Sequence, residues 1–230
     1  MVATPIGNLE DFSIRAADTL KSADIVACED TRHASILLNR HGIYAKKLVS
    51  YHSHNIERRS AELLRALLDG QNVALISDAG SPGVSDPGAA LTRMAAMEGI
   101  IVRPIPGPSA FLSALIASGF PTARFVYEGF LPRKKGRKTR LLSWQGEQRT
   151  VVFYESPHRL IKTLVEIAEL LGDRLVCVTR ELTKIHEEVV RGTAAELAAE
   201  FSARGQVKGE ITVVVAPQNF TWGAVEKEED

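Results

Sequence analysis

The sequence predicts an α/β fold of two α/β/α domains with mostly parallel sheets. Three observations carry this. Short β-branched runs alternate with helix-period patterns along the chain, glycines close most of the helical patterns, and the alternation breaks only once. After a strand-like start at VATPIGN, the apolar runs are DIVACED (24–30), KLVSYH (47–52), NVALISDA (72–79), IIVRPIPG (100–107), TVVFYES (150–156), RLVCVTRE (174–181) and EITVVVA (210–216). The helical patterns fall at 15–23, 32–42, 57–70, 88–99, 109–119, 158–172 and 193–205. Gly42, Gly70, Gly99, Gly119, Gly172 and Gly205 stand where a left-handed residue ends a helix. Thr193 and Glu196 have the spacing of a capping box, and Ser156-Pro157 and Asp86-Pro87 each read as an N-cap followed by a first-turn proline.

The break spans residues 120–149, with Pro121, Pro132, a short strand FVYEGF and a dense basic run. It predicts an N-terminal domain over 1–120, a second domain over 121–218 with a basic loop at 132–140, and an acidic, solvated tail over 219–230. Apolar residues make up 45% and charged residues 24% of the 230, which excludes a disordered or collagen-like chain. No apolar run reaches the ~18 residues of a membrane span, and no secretory leader is expected. Cys28 and Cys177 are far apart and lie in apolar runs, so two buried thiols in a reducing cytoplasm are expected. Lys plus Arg equals Asp plus Glu at 28 each, so no global field points to a polyanion.

In open α/β sheets ligands bind at the carboxyl ends of strands. The segments there are rich in Gly and Pro: Thr4–Leu9, Ser77–Gly88, Ile105–Ala110, Tyr154–Arg159 and Thr179–Lys184. Such segments serve as ordinary turns, or bring main-chain N–H and C=O groups close to a small ligand. Their number favours a ligand cleft. No G-x-G-x-x-G follows a strand, and there is no G-x-x-x-x-G-K-[ST], H-E-x-x-H or C-x-x-C, so neither a nucleotide phosphate site nor a metal is expected. The charged residues after the strands, Glu29, Asp30 and Arg32, Glu155 and Arg159, and Arg180, Glu181 and Lys184, fit either a salt-bridge network or catalysis. Arg133, Lys134, Lys135, Arg137, Lys138 and Arg140 put six cations in eight residues, which suits a solvated loop or a grip on RNA phosphates. Gly136 among them suggests a segment that is mobile until RNA binds.

VATPIGNLED, VACEDTRH, ISDAGSPGVSDPG, PIPGPSAFLSAL, YEGFLPRK, FYESPHR, TRELTKIHEE and KGEITVVV follow one another in an order that resembles the tetrapyrrole (corrin/porphyrin) methylase superfamily. The resemblance runs from Val2 to about Ala216. It is closest to the branch that 2′-O-methylates a decoding-region cytidine of 16S rRNA in the small ribosomal subunit. It implies S-adenosylmethionine as methyl donor, a donor cleft between two domains, and a homodimer. It assigns the donor to Asp78, Ala79, Gly80 and Ser81, to Pro108, Ser109 and Ala110, and to Leu182 and Thr212 bordering the adenosine. The donor carries no phosphate, which agrees with the missing phosphate motifs. Members usually begin with an extended strand before VATPIGN and often carry a small helical segment after the last strand, so a short first strand is expected here.

Methyl transfer to a ribose hydroxyl calls for in-line geometry and help with the departing proton. Candidate bases are Asp30, Glu29, Glu155 and Glu181, with Arg32, Arg180 or Lys184 as electrostatic partner. Two alternatives stay open: a macrocycle methylase of the same superfamily, which the basic run disfavours, and a non-enzymatic RNA-binding module, which the ligand-type loops disfavour.

Overall fold

A computed structural model describes residues 1–223. The chain forms two units, Met1–Ser109 and a second from Ala110 onward. In the first, α1 (Ile14–Ser22), β1 (Ile25–Cys28), α2 (Thr31–Arg40), β2 (Leu48–Ser50), α3 (Ile56–Leu68), β3 (Val73–Leu75) and α4 (Gly88–Met97) alternate as the periodicity requires. The strands pair in the order β2-β1-β3, all parallel. Strand side chains point to alternate faces, so β1 feeds two cores. Val26 and Cys28 pack with Ala16, Leu20, Ala34, Leu37 and Leu38 of α1 and α2. Ile25 and Ala27 pack with Leu63 of α3 and Leu91 of α4.

Two expected strands of this unit shrink to single bridges. Val2 pairs with Ile105, and Thr4 with Gly80. Pro5, Pro104, Pro106 and Pro108 lack the N–H that a ladder needs, so neither segment extends its pairing.

The second unit begins earlier than residue 120. Its first helix, α5 (Ala110–Ser118), buries Ala114 and Leu115 against Val152, Cys177 and Val214 of the second sheet. That contact assigns residues 110–120 to the second unit. The unit continues with β4 (Phe125–Phe130), α6 (Arg137–Leu142), β5 (Thr150–Glu155), α7 (Leu160–Leu171), β6 (Leu175–Arg180), β7 (Glu188–Thr193), α8 (Ala194–Ala203) and β8 (Ile211–Val215). The strand order is β4-β5-β8-β6-β7. Only β4 and β5 run parallel, while β5–β8, β8–β6 and β6–β7 are antiparallel. This sheet is therefore mixed, whereas the first is parallel. The source of the difference is β7, an edge strand with no fully buried residue, which gives a weak sequence signal.

Local signals performed well. All six helix-closing glycines have positive φ, and Thr193 and Glu196 form the capping box of α8. Asp86 is not the N-cap of α4, a place taken by Pro87, but its Oδ1 accepts from Gly83 N at 2.6 Å and Gly88 N at 2.8 Å and ties the loop to the start of the helix. Ser156 does not cap α7: the helix starts at Leu160 with Arg159 at its N-cap and no side-chain cap bond. Beyond β8, Phe220 meets Phe120 edge-on and Trp222 lies tilted against it while staying 53% exposed, Asn219, Thr221 and Gly223 are exposed, and residues 224–230 lie outside the described residues.

Candidate functional site

The strand order β2-β1-β3 places the carboxyl ends of β1 and β3 side by side where the chain order reverses, the usual position of a ligand crevice in α/β sheets. Three of the Gly- and Pro-rich strand-end segments meet there within the first unit, two of them carrying expected donor residues. Thr4 N donates to Gly80 O at 2.9 Å and Gly80 N to Thr4 O at 3.1 Å. Thr4 Oγ1 donates to Ser77 O at 3.0 Å, fixing the turn that carries Asp78 and Ala79. Gly80 has φ +84°, and a Cβ built there would lie 3.5 Å from Ile6 Cγ2 and 3.6 Å from Pro108 O. Glycine thus keeps a left-handed turn, and the 4–6, 77–81 and 105–108 segments lie within van der Waals reach of it. Farther along the loop, a Cβ on Gly88 would sit 2.8 Å from Gly83 N, so only glycine lets α4 start this close to the 81–86 segment.

The carboxylates at this end differ in proton affinity. Asp78 accepts the Asp30 N–H at 3.2 Å through Oδ1 and lies 3.5 Å from His33 Nδ1 through Oδ2, with its side chain 39% exposed. Asp30 caps α2 by accepting from Arg32 N at 2.8 Å and holds the Arg32 guanidinium at 2.6 Å. Those bonds keep the Asp30 carboxyl well below the usual carboxylate range, leaving it little affinity for a proton. Glu29 goes the other way, raised by burial and by the nearby Asp78 and Asp86 carboxylates.

In the second unit, Leu182 packs partly buried between two residues with positive φ, Glu181 (+51°) and Thr183 (+67°). Non-glycine residues there need support from their surroundings. Glu181 N donates to Glu210 O at 2.9 Å, Glu210 N donates to Glu181 Oε1 at 2.9 Å, and Lys184 Nζ bridges Glu181 (2.9 Å) and Glu210 (3.1 Å). Arg180 Nε pairs with Glu188 at 2.9 Å. Arg180 and Lys184 are thus each committed to carboxylates of their own unit. Thr212, buried on β8, accepts from Thr179 Oγ1 through its carbonyl at 3.1 Å. Ala110 is the first residue of α5.

Two sequence expectations are corrected here. Glu155 is not an exposed base: its carboxylate is fully buried, 2.6 Å from Arg159 Nη2, 2.6 Å from Thr163 Oγ1 and 3.5 Å from Arg137 Nη2. Arg137 is not a free phosphate ligand: it is 5% exposed, donating to Glu166 at 2.7 Å and to Thr163 Oγ1 at 2.6 Å. Arg140 lies 3.5 Å from Glu128. Arg133, Lys134, Lys135 and Lys138 are exposed, with no ion pair among the described residues. The sequence reading passed over Thr163 and Glu166, because nothing local marks partners 26 and 29 residues from Arg137.

Residues 1–198 match the family described as Tetrapyrrole (Corrin/Porphyrin) Methylases. The chain belongs to that family. Relatives from several organisms bear the name "Ribosomal RNA small subunit methyltransferase I". The one from Thermotoga maritima is 48% identical over 94% of this chain and 96% of its own length. The one from Halalkalibacterium halodurans is 51% identical over 94% of this chain and 74% of its own. Solved structures share the methylase fold. A cobalt precorrin-4 methyltransferase aligns with a TM-score of 0.66 at 17% identity, covering 94% of this chain and 92% of the other. A uroporphyrin-III C-methyltransferase from Thermus thermophilus complexed with S-adenyl homocysteine gives 0.62 at 19%, covering 94% and 96%. Among the described residues of this methylase, no helix is long and apolar enough to cross a membrane. Nor do three or more His, Cys, Asp or Glu side chains gather into a possible metal site among them.

Proposed function

We propose that the protein transfers a methyl group from S-adenosylmethionine to the ribosomal RNA of the small subunit, and that the acceptor is the ribose 2′-oxygen of a decoding-region cytidine in 16S rRNA. The observation that carries the donor assignment is the convergence of three backbone-rich segments around Gly80, beside the partly exposed Asp78 carboxylate. The chemistry of that set fits the donor. Main-chain N–H and C=O groups match the polar edges of an amino acid and a nucleoside, and a carboxylate matches an ammonium. Asp78, Ala79, Gly80, Ser81, Pro108 and Ser109 hold the donor in the first unit, and the sequence resemblance adds Ala110, Leu182 and Thr212 in the second. The names of relatives at 48% and 51% identity support rRNA as acceptor.

Bound S-adenosylmethionine supplies a methyl on a positively charged sulfur. The chain supplies geometry and a proton acceptor. Of the two neighbouring carboxylates, Glu29 keeps the higher proton affinity and is the better base for a 2′-hydroxyl, while Asp30, held by Arg32, serves as a fixed negative charge. Arg180 and Lys184 act by fixing the 181–184 turn. Arg133, Lys134, Lys135 and Lys138 provide the phosphate grip, with Arg140 at its edge. We also propose a cytoplasmic homodimer, to which the exposed Leu112 and Ile116 of α5 offer apolar surface.

The test is transfer of labelled methyl from S-adenosylmethionine to small subunits isolated from cells lacking the modification. Nuclease digestion and mass spectrometry should then find 2′-O-methylcytidine. Label on a base, or label accepted by a porphyrin-type macrocycle and not by rRNA, would overturn the assignment.

A further inference from the structure

We propose that Arg137, Arg159 and Glu155 form a buried clamp that holds the basic segment 133–138 in a fixed shape, which makes Arg137 a positioning residue for rRNA. The inference rests on the proposed phosphate-binding role of the exposed cations in that segment.

In sequence the six cations look equivalent, but in the fold Arg137 alone is buried. Its guanidinium is spent on four acceptors: Glu166 Oε2 (2.7 Å), Thr163 Oγ1 (2.6 Å), Glu155 Oε2 (3.5 Å) and the carbonyl of Pro132 (3.3 Å). Arg159, next to α7, meets the other oxygen of Glu155 at 2.6 Å and the carbonyl of Leu131 at 3.1 Å. Both carbonyls at the root of the basic segment are therefore held by arginines that share one carboxylate at the end of β5.

The far end of the segment is fixed as well. Arg137 N donates to Lys134 O at 3.3 Å, Arg140 N to Gly136 O at 2.9 Å, and Leu141 is fully buried in the core of the unit. Glu155 and Glu166 balance the charge of Arg137 and Arg159, so the clamp adds no net charge to the surface above it. What it supplies is order. Four exposed cations on a tethered backbone need less ordering when they meet a phosphate chain, so binding loses less conformational entropy. The forked contact also explains why arginine is needed: lysine offers one nitrogen and cannot reach the four acceptors together.

The experiment measures rRNA affinity across a salt series, KM for the small subunit, kcat and donor Kd, in Arg137→Lys, Arg137→Gln and Lys134→Gln/Lys135→Gln. The clamp requires Arg137→Lys and Arg137→Gln to behave alike. Subunit KM should rise about tenfold, with kcat and donor Kd unchanged and the slope of log K against log salt unaltered, because the phosphate contacts remain in number. The double lysine variant should lower that slope by ~0.7–0.9 per lost contact. If Lys134→Gln/Lys135→Gln leaves the slope unchanged, the phosphate grip itself is wrong. If it lowers the slope while both Arg137 variants keep the parental KM, only the clamp is wrong. A lower slope in Arg137→Gln that Arg137→Lys restores would make Arg137 a phosphate contact and overturn the clamp. Should the Arg137 variants fold poorly, Thr163→Val trims one acceptor. Amide exchange at 133–137 should then speed up with a smaller rise in KM, and unchanged exchange and KM would overturn the clamp.

Discussion

Replacing Glu155 with glutamine separates a structural carboxylate from a catalytic one. The native side chain is fully buried and accepts from Ser156 N at 2.7 Å, Thr163 Oγ1 at 2.6 Å and Arg159 Nη2 at 2.6 Å. Removing one member of a buried ion pair typically costs about 3–5 kcal/mol, because the remaining charge stays desolvated. Two features place Glu155→Gln at the lower end. Arg137 retains Glu166 at 2.7 Å, and Arg159 is partly exposed. The expected loss is therefore about 3 kcal/mol, which at a urea m-value of about 1–3 kcal/mol/M moves the midpoint down by about 1–3 M. Fluorescence of Trp144, buried in the same core as Phe153, reports on this unit once Trp222 is replaced by phenylalanine. The transition should be analysed as that of the local unit, since a chain of two units need not unfold in one step. An unchanged midpoint together with a collapse of kcat would refute the reasoning and return Glu155 to the role of base.

Asp78→Asn should weaken S-adenosylmethionine by about 10- to 100-fold in calorimetry, the loss of a charged hydrogen bond of about 1.5–3 kcal/mol, while rRNA affinity holds; equal donor affinity would contradict the ammonium contact. Glu29 has a raised folded-state pKa, so its native state keeps the extra proton and stability from this group falls as pH climbs from the unfolded to the folded value. Glu29→Gln should thus be more stable than the parent near pH 7 and equal to it near pH 4 in urea melts, and a variant that is less stable at both would refute this. Burial pushes the Cys28 thiol up to about 12 and the Cys177 thiol up to about 11. Iodoacetamide should label neither in the native protein and both in urea, and prompt native labelling would be the contrary result. Thr193→Ala removes the capping box of α8 and should cost about 1 kcal/mol, read as a lower urea midpoint.

Much of the site was legible because its signals are local. The Gly and Pro spacing of 77–88 encodes a turn whose backbone can face a ligand, and the order of the motifs marks the family without any distance being known. The convergence of Thr4, Gly80 and Pro108 was foreshadowed only as separate loops at strand ends, since the bonds joining Thr4 to Ser77 and Gly80 span more than seventy residues. Proton affinities were not legible either. Glu29 and Asp30 are neighbours in sequence, yet one is raised by burial and the other lowered by Arg32.

The sequence by itself determined most of the helices, the capping box of α8, the parallel first sheet and the family, because periodicity, capping spacing and motif order act over a few residues at a time; it missed α6, which lies in the segment expected to be a basic loop. Tertiary structure alone decided that α5 joins the second unit, that the second sheet is mixed, and that Glu155 and Arg137 are buried 3.5 Å from each other. The physical reason is burial. A charged residue at a strand end or in a basic run looks solvent-facing in one dimension, and it becomes a structural ion only when a partner eighteen residues away, as Glu155 is from Arg137, folds over it and excludes water.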